Sequence, residues 1–310
     1  MAKMTAIIPC YNEEERIRKL LDTLKQQTAM PEIIIVDGGS TDKTVQIIKE
    51  YMKKNKKIRL LQERGKNRSP ANARNIGWKA ARGDIIYLMD ADSQIESDFT
   101  KKVEREFAKN RGVDAIKFVC HPYFPKKFSG PLEKALFYKD ERGEGRLIVF
   151  AKKAVDKLGY FDPGLGFGED KIWAQNWPKL KMVETKTILV QSKSGYLNLK
   201  KFFQRYSWYG RTIPRFLKKH FDLKIFLGLC LSIAMLLFTV LAFFDLKSLY
   251  VLSALYLIML ARGASIGLII LKRFRQITPL LVLPFTEILA SYVIGLGFIS
   301  FIIGKRAIGR

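Results

Sequence analysis

The sequence predicts an α/β domain on a mostly parallel, Rossmann-like sheet with helices on both faces, followed by an amphipathic helix and transmembrane helices. Three observations carry this. Short apolar runs alternate with helical periodicity from Met4 to about Asn110. The runs end abruptly in acidic or glycine-rich tips. From Leu199 onward the composition changes, and long stretches without charge take over. The organisation expected is a catalytic-type domain over residues 1–195, an amphipathic region over 196–222 and a transmembrane region over 223–310.

Met4 to Ile8 reads as a first buried strand, stopping at Pro9-Cys10-Tyr11-Asn12. Ile17, Leu20, Leu21 and Leu24 then recur at helical spacing. Glu13 to Glu15 lie where the helix dipole favours negative charge. Glu32 to Val36 is a second strand, and its tip is Asp37-Gly38-Gly39-Ser40-Thr41-Asp42. Val45, Ile48 and Met52 mark a helix, Ile58 to Gln62 a strand, and Ser69 to Ala81 a helix. Ile85 to Met89 is a nearly continuous apolar run, as in a strand covered on both faces. It ends in Asp90-Ala91-Asp92, and a charged helix follows from about Ser97 to Asn110. Asp114 to Cys120 and Gly145 to Phe150 are further strands.

The chain has 310 residues, 48% hydrophobic and 27% charged, with a formal net charge of +25. Such a basic excess calls for an anionic partner: nucleic acid, membrane lipid or a phosphorylated substrate. Cys10, Cys120 and Cys230 are too scattered for a metal site or a disulfide framework, and predict reduced thiols. The N-terminus runs straight into a strand, so no signal peptide is expected.

Ligands of open α/β sheets bind at the carboxyl ends of the strands. Asp37, Asp90 and Asp92, with Asn12 and Glu13, would share that edge. Asp90 and Asp92 offer hard oxygen donors suited to Mg²⁺ or Mn²⁺. Alternatively, Asp92-Ser93 caps the next helix, and Ser40 or Thr41 caps the one after Asp37. Further on, Gly159-Tyr160-Phe161-Asp162-Pro163-Gly164-Leu165-Gly166-Phe167-Gly168-Glu169-Asp170 places four glycines beside two adjacent acids. That is a loop delivering a carboxylate, or simply the start of the helix containing Trp173.

Four segments, Ile8-Pro9-Cys10-Tyr11-Asn12-Glu13, Val36-Asp37-Gly38-Gly39-Ser40-Thr41-Asp42, Ala73-Arg74-Asn75-Ile76-Gly77 and Asp90-Ala91-Asp92, are similar in order and spacing to family 2 of the inverting nucleotide-sugar glycosyltransferases. The resemblance covers about the first two-thirds of the chain. It implies a GT-A fold and a nucleotide-diphosphosugar donor of UDP or GDP type. It implies that Pro9, Asn12 and Asp37 line the nucleoside pocket, with Glu13 also among the nucleotide-sugar-binding residues and Arg74 close to the nucleotide. The other reading of Arg74 is a surface helix arginine. Asp90 would lie near the ribose or sugar, and Asp92 would hold the metal. The Glu169-Asp170 pair would supply the catalytic base, Asp170 being the choice over Glu169. A base suits a hydroxyl acceptor better than a phosphate, which is already an anion. The sequence therefore favours transfer to a hydroxyl of a lipid-linked saccharide or glycolipid. The runners-up are a polyprenyl-phosphate glycosyl synthase and a non-catalytic nucleotide-binding membrane scaffold.

Phe202, Phe203, Tyr206, Tyr209 and Ile213 form a helical stripe among Lys200, Lys201, Arg205, Arg211, Arg215, Lys218 and Lys219. This predicts an interfacial membrane helix. The alternatives are a basic helix packed on the domain, or a nucleic-acid surface. The stretches after it decide against nucleic acid. Ile225–Phe244, Ser248–Leu271 and Ile277–Gly304 are each long enough to span a bilayer. Arg262 and Glu287 interrupt the second and third. Arg262 is expected to bind a lipid phosphate, to pair with Glu287, or to snorkel from a helix broken at Gly263. Trp173, Arg205 and Arg262 are the candidates for contact with the acceptor or its lipid. Basic clusters before Ile225, at Lys272–Arg275 and at Lys305–Arg310 compete for the cytoplasmic side. Three spans are expected, with a re-entrant hairpin around Pro284 as the alternative. The placement expected is a multi-pass protein of the cell membrane with a cytoplasmic catalytic domain. No Gln-x-x-Arg-Trp motif of processive synthases is present: Gln204-Arg205-Tyr206-Ser207-Trp208 separates the arginine from the tryptophan.

Overall fold

A computed structural model describes residues 3–64, 68–121, 130–131, 134–135, 145–193 and 199–303. The chain forms two compact units, residues 1–125 with 143–195, and residues 126–142 with 196–310. The basic stretch Lys126–Arg142 lies largely outside the described residues, as does Lys305–Arg310.

The first unit contains β1 (Met4–Cys10), α1 (Glu14–Lys25), β2 (Glu32–Asp37), α2 (Thr44–Lys54), β3 (Ile58–Gln62), α3 (Pro70–Ala80), β4 (Ile85–Leu88), β5 (Ser93–Ile95) and α4 (Phe99–Lys109). It continues with β6 (Ala115–His121), β7 (Gly145–Ala151), α5 (Val155–Leu158), α6 (Glu169–Ala174) and β8 (Met182–Lys193). The strands lie in the order β3-β2-β1-β4-β7-β6-β8-β5. The sheet is mixed: β3, β2, β1 and β4 are parallel, while β7 runs antiparallel to both β4 and β6. The apolar stripes of α1, α2 and α4 pack on one face around Leu20, Leu21, Ile48 and Phe99. Trp78 of α3, Leu158 and Trp173 cover the other face. Both faces are sealed, which is why β1, β2 and β4 read as continuous apolar runs.

Two expectations are corrected. Asp92-Ser93 does not cap a helix: Ser93 opens β5, and α4 begins at Phe99. Ser40 and Thr41 do not cap α2 either, since Asp42 Oδ1 accepts from Thr44 N at its first turn.

The second unit holds α7 (Leu199–Lys219), α8 (Leu223–Leu241), α9 (Leu246–Phe274) and α10 (Thr278–Ile302). The last three are long and apolar enough to cross a membrane. α10 continues through Pro284 as one helix, so no re-entrant hairpin forms. α9 is likewise unbroken at Gly263. A Cβ at that glycine would meet Pro284 Cα at 2.4 Å, so its bareness lets α9 and α10 touch by their backbones. Arg262 Nε lies 3.2 Å from Glu287 Oε2, the pairing that was one of its three sequence readings.

Asp114, buried just before β6, ties α5 to the approach of β8. It accepts from Lys157 Nζ at 2.6 Å and Lys181 N at 2.8 Å. Burial alone would raise its carboxyl, but these donors outweigh burial and hold it below the usual range. Its stabilisation is therefore complete above the unfolded value, near 3.8, and disappears as pH falls through the lower folded value. Asp114→Asn is expected to cost about 1–3 kcal/mol at neutral pH. Its unfolding midpoint in urea should also decline less than the wild type's below about pH 4.

Candidate active site

Three strand tips meet where the chain order reverses. After β1 the chain builds outward through β2 and β3, then returns to place β4 on the other side of β1. That reversal opens a crevice between β1 and β4. Met89 N donates to Ile7 O at 2.9 Å, and the paired stretch of β4 ends at Leu88. Pro9 faces the same side as Ile7, beyond that last rung, where a strand tolerates a residue without an N–H.

The β1 and β2 tips are latched together. Asn12, in left-handed backbone at φ 53°, accepts from Thr41 N at 2.9 Å. Its own N–H donates to Ser40 Oγ at 2.9 Å. Glu13 N donates to Thr44 Oγ1 at 2.7 Å. The buried Asp37 carboxylate accepts from Gly39 N at 2.9 Å and Ser40 Oγ at 2.5 Å. Asp37 thus organises its own loop as well as lining the edge. The tips are electrically negative. Burial pushes the Cys10 thiol up, and Glu13, Asp37 and Asp42 push it further.

Asp90 and Asp92 sit in the turn between β4 and β5, closed by Ser93 N donating to Asp90 O at 3.1 Å. Each meets an arginine. Arg16 of α1 pairs with Glu13 and reaches Asp92 Oδ2 with Nη1 at 3.5 Å. Arg74 of α3 reaches Asp90 Oδ1 with Nη2 at 3.5 Å and Glu169 Oε1 with Nη1 at 2.9 Å. Arg74 is not a surface arginine, since its side chain is only 13% exposed.

α3 is the strut that unites the site. Ser69 accepts from Asn72 N at its start, and Pro70 occupies the first turn. Gly77 lets the helix lie directly on β1, because a Cβ there would meet Ile7 Cγ2 at 2.2 Å. Asn75 exchanges two hydrogen bonds with the Phe161 backbone, at 2.8 and 2.9 Å. Phe161 in turn stacks on Trp173, with ring centroids 4.2 Å apart. The glycine-rich loop before Glu169 is therefore anchored to the helix that carries Arg74. Within the first turn of α6, Glu169 is buried and Asp170 is exposed, accepting from Lys171 N at 2.8 Å.

The tips expected from sequence gather at one edge, and Arg74 ties Asp90 to the Glu169-Asp170 turn. Trp173 is buried among Trp78, Phe150 and Phe161, in the core rather than on a surface. Arg205 and Arg262 belong to the second unit. Sequence reasoning missed Arg16 and Glu63, and quoted Asn75 within a motif without giving it a role. Glu63 accepts from Ser69 N at 3.1 Å and Asn72 Nδ2 at 2.8 Å, bracing the start of α3. Burial raises its carboxyl despite these donors. Of the two missed residues, Arg16 left a signal, one helical turn after Glu13.

Residues 5–154 match Glycosyl transferase family 2, a match that ends before Glu169. An uncharacterised glycosyltransferase of Haemophilus influenzae is 38% identical over 33% of this chain and 41% of its own length. The poly(ribitol-phosphate) beta-glucosyltransferase of Bacillus spizizenii is 37% identical over 31% of this chain and 16% of its own. The aligned part is thus less than half of either relative. Two solved structures share the fold. The mannosyltransferase PcManGT of Pyrobaculum calidifontis, in complex with GDP-Man and Mn²⁺, is 16% identical, covering 98% of this chain and 88% of that one at a TM-score of 0.54. Staphylococcus aureus TarS 1–349 with UDP-GlcNAc is 19% identical, covering 97% and 92% at 0.50.

Removing Arg74 would take the 2.9 Å guanidinium contact away from the buried Glu169 carboxylate. Arg74→Met is expected to cost about 3–5 kcal/mol. Glu169→Gln in the same chain should recover part of this in a double-mutant cycle of thermal unfolding.

Proposed function

We propose, for a chain whose residues 5–154 match Glycosyl transferase family 2, that the protein is a membrane-bound, inverting glycosyltransferase. It would move a sugar from a nucleotide-diphosphosugar to a hydroxyl of a lipid-linked saccharide or glycolipid. The observation that carries this reading is the Arg74 bridge. It joins Asp90, at the crevice where a donor would bind, to the turn carrying Asp170.

Pro9, Asn12, Glu13 and Asp37 are proposed to line the nucleoside pocket. Asp90 and Asp92 are carboxylates one residue apart on a single turn. Among the described residues no cluster of three or more His, Cys, Asp or Glu side chains could cage a metal. This donor set fits Mg²⁺ or Mn²⁺, which bind through one or two carboxylates and complete their shell with substrate phosphates. Such an ion would supply Lewis-acid stabilisation of the diphosphate leaving group.

Asp170 is proposed to take the proton of the acceptor hydroxyl. The oxygen then attacks the anomeric carbon opposite the diphosphate, the carbon–diphosphate bond breaks, and configuration inverts. Glu169, held by Arg74, fixes the turn from which the exposed Asp170 carboxylate projects. General-base assistance is worth about 10²–10⁴-fold. A multi-pass placement in the cell membrane, with this domain on the cytoplasmic side, accompanies the proposal.

Donor binding is read by thermal shift of detergent-purified protein with UDP or GDP and Mn²⁺, Mg²⁺ or EDTA. A ligand at 100 times its Kd stabilises by about 2.7 kcal/mol. Asp92→Asn should abolish the metal-dependent shift. Asp170→Asn should keep it and lose about 10²–10⁴-fold in transfer. Transfer by Asp170→Asn at near wild-type rate would overturn the base assignment.

A further inference from the structure

Residues 196–310 hold sixteen Lys and Arg against three acids. All three acids are engaged. Asp222 and Asp245 cap α8 and α9, and Glu287 pairs with Arg262.

On α7, Arg211, Arg215 and Lys218 recur at i, i+4 and i+7, so they share one face. Arg215 and Lys218 are exposed, but Arg211 is half-buried. Its Nε is fully enclosed and has no hydrogen-bond partner. Burial pushes its guanidinium down, and no carboxylate opposes that push. A desolvated, uncompensated guanidinium is costly unless an anion satisfies it.

The packing of α7 places this face. Phe202 clusters with Ala290, a Cβ at Gly210 would meet Ile294 O and Gly297 Cα, and Arg215 lies 5.9 Å over the Phe301 ring. The contacts advance together, so α7 runs parallel to α10 along its second half. Arg215 stands level with the end of the apolar helix, and Arg211 about 6 Å back from that end. Leu296, Ile299 and Ile302 of α10 are exposed and supply an apolar surface.

We propose that Arg211, with Arg215 and Lys218, binds the phosphate of an anionic lipid whose acyl chains lie along Leu296 and Ile299 of α10. Arginine suits this ligand because its planar fork meets phosphate oxygens in pairs. The site does not depend on the glycosyltransfer reading.

The test is native mass spectrometry of the full chain in a neutral maltoside detergent. The probes are dioleoyl phosphatidic acid, dioleoyl phosphatidylcholine and inorganic phosphate. Wild type should retain one phosphatidic acid at concentrations at least about tenfold below those needed for phosphatidylcholine. Arg211→Gln should weaken that retention about tenfold or more. Lys247→Gln, an exposed lysine at the start of α9, should leave it unchanged. Equal retention by Arg211→Gln, or no preference over phosphatidylcholine, overturns the proposal. Displacement of the lipid by equimolar inorganic phosphate also overturns it, by making this a site for a free anion. Should Arg211→Gln fail to fold, Arg215→Gln carries the test, and unchanged retention there is equally fatal.

Discussion

Carboxylates crowded at one sheet edge repel, and the candidate site exists because two arginines hold them. Glu13 and Asp92 share Arg16, while Asp90 and Glu169 share Arg74. Each guanidinium spans two elements that are distant in sequence. Arg16 ties the first strand tip to the fourth, and Arg74 ties the fourth to the glycine-rich loop. Arginine can do this because its fork presents several donors in fixed directions, which a lysine cannot.

The helix under Arg74 explains more than electrostatics. The Ala-Arg-Asn-Ile-Gly segment reads as a resemblance motif, and in the structure its members act separately. Arg74 faces the carboxylates, Asn75 holds the Phe161 backbone, and Gly77 allows contact with Ile7. Three successive faces of one helix thus serve the site, the loop and the core.

Much of this was legible in the sequence. Strands sealed on both faces must be apolar, so β1, β2 and β4 announced themselves, and their parallel register put the acidic tips together. The three-residue β5 was not legible, because Ser93-Gln94-Ile95 is too short to show a period. The reversal of β7 was not legible either, since strand direction depends on a connection that periodicity does not encode. Asn75 and Phe161 are 86 residues apart, and no local pattern links them. Arg262 and Glu287 were visible because charge in an apolar stretch is rare, yet the sequence left pairing as one of three readings.

The seam between α7 and α10 bears on how the protein can be handled. By composition α7 looks like the last water-compatible segment before the apolar helices. Its Phe202 and Gly210 side, however, is covered by α10. A chain cut after residue 222 would keep that adhesive side and lose its cover, inviting self-association. A cut near residue 195 removes the whole helix and leaves β8 intact as far as Lys193. It would still bare Ala135, which packs with Ile270 and Leu283. The soluble fragment to express therefore ends earlier than hydropathy alone would advise, with Ala135 as the first surface position to make polar.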